Sequence, residues 1–163
     1  MVQWDKRTPE IANLLNPSFC AIILYAAIAE YQKKAKDGIP FPLIYLILPV
    51  VLHKSTRYRI TSKTNMIVWL QRNPDVLVGF PERAKSMVPY TNEAIEFLLF
   101  QETCLINNEK ICIAKTISQS GLVHYMESDE EIKECIQKAG NVGRWFCSMH
   151  ATENIYAAWG VKP

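Results

Sequence analysis

The stretch TNEAIEFLLFQETCLINNEKICI, residues 91–113, decides the fold class. Its first half spaces Ile95, Leu98 and Leu99 as one apolar helical face, behind a threonine, Thr91, whose hydroxyl suits a helix N-cap. Its second half sets Leu105 and Ile106 against Ile111 to Ile113 across a polar turn around Asn107 and Asn108, the pattern of a short two-stranded ribbon. With the helices upstream, the order helix, helix, hairpin is that of a winged-helix unit. We therefore expect a mainly α, compact helical domain containing a winged-helix-like unit over about residues 91–116, with Asn92 to Thr103 as its recognition helix.

Upstream, about residues 8–90 read as helices. Thr8-Pro9-Glu10 and Asn16-Pro17 are both helix starts, each with a capping oxygen and a proline in the first turn. The second start leads into Phe19, Ile22, Ile23, Ala26 and Ala27 at helical spacing, with Lys33, Lys34 and Lys36 at the negative dipole end and Asp37-Gly38 as the stop. Pro42 to Leu52 is apolar on every side and predicts a central buried helix, bent near Pro49, that exits into a basic loop. A helix from Thr61 or Ser62 should bury Met66, Ile67, Trp69 and Leu70, and Asn73-Pro74 opens another.

Downstream, Gly121 lies in a polar connection, and about residues 128–160 are expected to be helical. Ser128 and Glu131 form a capping box for a helix ending near Ala139 and Gly140. Two short helices come after it, carrying Trp145 with Phe146 and then Ile155, Tyr156 and Trp159.

A chain of 163 residues, 49% hydrophobic and 21% charged, is the size and composition of a single globular domain. The opening residues through Glu10 contain charge and Trp4 but no apolar run of export type, and the five cysteines are an odd count; together they predict reduced thiols in cytoplasm. The apolar segments Pro17 to Tyr31 and Ile39 to Leu52 fall short of the ~18–20 residues of a membrane span, so no membrane insertion is expected.

Charge is segregated. Up to Tyr90 the chain has 12 basic and 6 acidic residues; beyond it, 6 and 10. No carboxylate occurs between Asp37 and Asp75, where His53, Lys54, Arg57, Tyr58 and Arg59 cluster, so this region suits an anionic partner, protein or DNA. The expected recognition helix instead has Glu93, Glu96 and Glu102 and no lysine or arginine, which would repel a polyanion and favour protein contact.

Chemistry is hard to place. The glycine pair Gly140 and Gly143 is followed by Arg144, not by the lysine of a phosphate-binding loop. Cys147 with His150, and Cys104 with Cys112, are fragments of metal-ligand spacing without the paired set. His53, His124 and His150 have no nucleophile signature beside them, so we expect no catalysis, metal or cofactor.

Five segments taken as a set carry a resemblance: EIANLLNPSF at 10–19, PFPL at 40–43, LPVVLHKSTR at 48–57, GFPER at 79–83 and IYAAWGVKP at 155–163. Nearly end to end, the chain resembles the middle component of bacterial three-component ABC systems. The resemblance implies a conflict or anti-phage module in which an SMC-like ABC ATPase hydrolyses nucleotide, another protein is the effector, and the middle component is a non-enzymatic adaptor linking them. It marks Asn13, Asn16, Pro17, Phe19, Pro42, Pro49, His53, Arg57, Arg83, Gly160 and Pro163, of which His53, Arg57 and Arg83 are the polar candidates for partner contact. Lys162 stands where the family ending tends to have arginine, and a lysine offers no bidentate fork. The alternative is a DNA-binding winged-helix regulator that grips phosphate through Lys54 to Arg59.

Overall fold

The structure is a computed structural model that describes residues 15–149 and 151–162. The helix start at Thr8, together with Asn13, His150 and Pro163, lies outside the described residues. Helix α1, Pro17–Ala35, begins as its sequence dictates, with the Asn16 side chain accepting from the Ser18 amide at 2.8 Å. It ends one step early, on Lys36, whose backbone turns left-handed (φ 61°) and donates to the Gln32 carbonyl.

The next backbone closes on the hairpin. Strand β1, Ile39–Pro40, is a two-residue segment that the sequence reading missed, because two residues carry no period and one of them is a proline. A Cβ at Gly38 would lie 2.6 Å from the Ile111 carbonyl oxygen, so only glycine allows this approach. Strands β2, Cys104–Asn107, and β3, Lys110–Ile113, form the expected hairpin, with Leu105 opposite Cys112 and Ile106 opposite Ile111. Asn108 and Glu109 both take positive φ (49° and 61°), which matches the right-handed twist of the flanking strands. The antiparallel sheet runs β1-β3-β2.

A 3₁₀ turn over Phe41–Leu43 leads into α2, Ile44–Val51, a helix buried nearly all round as its composition requires. Beyond it the expected basic loop is corrected: Lys54–Arg59 is a short helix, α3. Helix α4, Met66–Arg72, starts later than expected because Asn65, not Thr61 or Ser62, supplies the cap, accepting from the Val68 amide at 2.9 Å; Ile67 consequently faces solvent. Pro74–Leu77 makes only a 3₁₀ turn.

The largest correction concerns α5, Phe80–Phe100. Thr91 is not a cap but lies inside this helix, fully buried, its hydroxyl donating to the Met87 carbonyl at 3.1 Å. The helix runs through Pro89 because Ala84, Thr91, Ala94, Ile95 and Leu98 keep one continuous face against α1 and α2. Arg83 and Lys85 are therefore on the same helix as Glu93 and Glu96, while Glu102 lies past its end.

Residues read as a polar connection form α6, Gln119–Glu127. Helix α7, Glu130–Ser148, is capped by Asp129, one residue beyond the expected Ser128, and does not stop at Gly140; Trp145 and Phe146 belong to it. The reason is packing. Gly143 sits where a Cβ would come 2.2 Å from the Ala27 carbonyl oxygen, so α7 lies directly on α1. Helix α8, Thr152–Ala158, delivers Trp159 into a single core built mainly by α1, α2, α4, α5 and α7. Among the described residues no helix is long and apolar enough to cross a membrane.

Candidate functional site

Helix α2 is built from apolar side chains, so its last carbonyls must find donors elsewhere. Two arginines provide them. Arg57 Nη1 donates to the Val51 carbonyl at 3.0 Å, and Arg83 Nε donates to the Pro49 carbonyl at 3.1 Å.

Arg57 is 1% exposed, an arginine in the protein interior. Its Nε donates to Glu134 at 2.8 Å and its Nη2 to Glu131 at 2.7 Å, both on α7. Burial opposes its charge, but the two carboxylates outweigh burial and hold its pKa above the ordinary value. Arg83 lacks such relief. Its guanidinium carbon lies 5.2 Å from the centre of the Phe80 ring, and Nη2 makes a long 3.5 Å contact with the Val76 carbonyl. Among the described residues no carboxylate meets Arg83, Nη1 has no acceptor, and burial pulls its pKa down.

His53 completes the group. Its Nδ1 is 2.7 Å from the Thr56 hydroxyl, and its pKa is lowered by burial first and then by the charges of Arg83, Arg59 and Arg57. His53, Arg57 and Arg83 line one cleft of about 430 Å³ whose other walls include Phe19, Leu48, Leu52, Met87 and Ile132. Asn16 and Pro49 line it too, so six positions marked by the family resemblance converge here from α1, α2, α3, α5 and the residues before α1 and α3. The acids at its edge are already engaged: Glu131 by Arg57, and Asp129 by the Glu131 and Ile132 amides at 2.7 and 3.2 Å.

The other residues of the basic stretch lie outside the cleft. Arg59 forms a bidentate pair with Asp75 at 2.8 and 2.9 Å, and Lys54 and Tyr58 project into solvent, Tyr58 78% exposed. The acidic residues of α5 have unforeseen companions. Glu93, Glu96, Phe97 and Phe100 stand at i, i+3, i+4 and i+7, one stripe on the side away from Ala94, Ile95 and Leu98. Phe97 is 39% exposed and Phe100 84%, and Leu105 and Ile106 on the adjoining strand are also exposed. The signal was in the sequence: the face that buries Ile95 and Leu98 cannot also bury Phe97 and Phe100.

Among the described residues no group of three or more His, Cys, Asp or Glu side chains could hold a metal. Burial pushes the thiols of Cys20 and Cys104 up to about 12 and that of Cys135 up to about 11, which keeps them protonated and unreactive.

No curated protein and no solved structure matches the chain. A family model does, over residues 4–163, which takes in every element of the cleft and of the acidic stripe: the chain belongs to the ABC-three component (ABC-3C) system Middle Component 3 family.

Proposed function

We propose that this chain is a non-enzymatic cytoplasmic adaptor that links an SMC-like ABC ATPase to an effector within a bacterial conflict or anti-phage system. Membership of a middle-component family supports the existence of partner components. The observation that carries the adaptor reading is the exposed surface of Glu96, Phe97 and Phe100 beside Leu105 and Ile106: an apolar aromatic centre with a carboxylate at its edge is the composition of a protein interface, and it suits a partner with a basic residue beside an apolar pocket.

The unit bearing this surface is read as a winged helix used for protein contact. Its support is the order helix, strand, helices, hairpin and the sheet order β1-β3-β2. The DNA-binding alternative would draw on Arg57 and Arg59, but the first is committed to Glu131 and Glu134 and the second to Asp75. The test is co-expression with an ABC ATPase and an effector of the same three-component system. Both should co-purify with the wild-type chain, and Phe100→Asp should lose one of them without a change in melting temperature. A wild-type chain that retains neither refutes the adaptor role.

A further inference from the structure

We infer that the cleft of His53 and Arg83 is a binding site for a short acidic-apolar peptide segment of a partner, one carboxylate flanked by large apolar side chains; this rests on the adaptor reading only for the source of the peptide. Three observations converge on that chemistry. The first is an incompletely used cation: Arg83 spends Nε on the Pro49 carbonyl, stacks on Phe80 and leaves Nη1 without an acceptor among the described residues. A ligand carboxylate would form a charge-assisted bond at that nitrogen.

The second is electrostatic selection. Of the charged groups lining the cleft, Arg57 is paired with Glu131, and Asp129 accepts from two amides at the start of α7, which leaves Arg83 as the lining charge without an ionic partner among the described residues. A cationic ligand would compete with the Arg57 guanidinium for Glu131 and with the α7 amides for Asp129, whereas an anionic one finds the Arg83 guanidinium. The third is shape and polarity: at about 430 Å³, lined by Phe19, Leu48, Leu52 and Met87, the cleft lies in the lower part of the ~300–1,000 Å³ range of ligand pockets and suits anchoring side chains, not a folded surface. A bare phosphate would leave those apolar walls uncovered.

The test uses the full chain, immobilised, in a selection from a random peptide library, followed by fluorescence anisotropy titration of the recovered peptides. Recovered peptides should share one aspartate or glutamate beside leucine, phenylalanine or a similar residue. Changing that acid to its amide, or Arg83→Gln in the protein, should weaken binding on the order of tenfold or more. Because Arg83→Gln also uncaps α2, Met87→Glu is the second variant: it sets a carboxylate one helical turn from Arg83, leaves the bond to Pro49 in place, and should abolish binding with the melting temperature retained. No enrichment, enriched peptides without an acid, or affinities unmoved by Arg83→Gln and Met87→Glu would each overturn the inference. Co-purification separates the two readings. A chain that retains its partners but selects no acidic peptide loses the cleft site alone, and one that selects acidic peptides but retains no partner loses the adaptor role alone.

Discussion

At the scale of single residues, Arg57 and His53 show how a sequence reading of surface charge can be redirected by burial. Arg57 bridges three elements, taking the Val51 carbonyl of α2 and the Glu131 and Glu134 carboxylates of α7 from its position on α3. Its removal leaves a helix end and two acids unpaired. We expect Arg57→Ala to lower the unfolding free energy by about 2–3 kcal/mol, at or below the lower end of what breaking a buried pair costs, since Glu131 and Glu134 keep access to water; the midpoint of a urea titration measures it. Arg57→Lys should recover only part of this, because an ammonium cannot serve three acceptors in one plane. His53 supplies a pH signature. Its folded pKa lies below the usual 6.5, so its neutral form is favoured by folding; the associated stability is complete above pH 6.5 and is lost as pH falls from there through the folded value. Urea midpoints measured from pH 7.5 to 5 should therefore fall more steeply for the wild type than for His53→Gln, and parallel curves would contradict the assignment.

At the scale of elements, the crossing of α1 and α7 organises the fold, and two glycines on one helix have opposite duties. A Cβ at Gly143 would press to 2.2 Å from the Ala27 carbonyl oxygen, a backbone atom that cannot step aside. At Gly140 the nearest atom is Glu30 Cγ at 3.1 Å, part of a flexible side chain that also pairs with Arg144. Gly143→Ala is expected to destabilise by about 3 kcal/mol or more through separation of the helices. Gly140→Ala should stay within about 1 kcal/mol of the wild type, because the gain in helix propensity offsets the shift of Glu30. Thermal melts of the two variants side by side decide this, and equal losses would mean that the crossing is looser than the geometry indicates.

At the scale of the whole molecule, the C-terminal segment closes an aromatic core drawn from three helices and from Trp159, the residue after α8. Trp159 is fully buried, with Phe80 at 4.7 Å and Trp69 at 6.3 Å between ring centres, and Trp69 in turn meets Trp145 at 5.1 Å. The indole of Trp69 donates to the Arg59 carbonyl and that of Trp145 to the Thr64 carbonyl, which ties the segment after α2 to this core. We expect Trp159→Ala to cost about 3–5 kcal/mol, a large share of the ~5–15 kcal/mol that stabilises a domain, and to collapse the near-ultraviolet circular dichroism signal together with the urea midpoint. Loss of one signal without the other would show that the C-terminal segment folds apart from the rest.

What the sequence determined by itself was local and periodic. Asn16-Pro17 specified the start of α1, the unbroken apolar run specified a buried α2, and the alternation around Asn108 specified the hairpin register, because caps, periods and turns act between near neighbours. Only the tertiary structure decided the rest. Thr91 and Gly140 carry stop or start chemistry, yet both lie inside long helices, since the packing of α5 and α7 on α1 outweighs a local preference worth about 1 kcal/mol. The same holds for the site: His53, Arg57 and Arg83 could be read as basic, but which of them is paired with carboxylates and which, among the described residues, keeps a donor without an acceptor depended on Glu131 and Glu134, residues more than seventy positions away that reach Arg57 only through the fold.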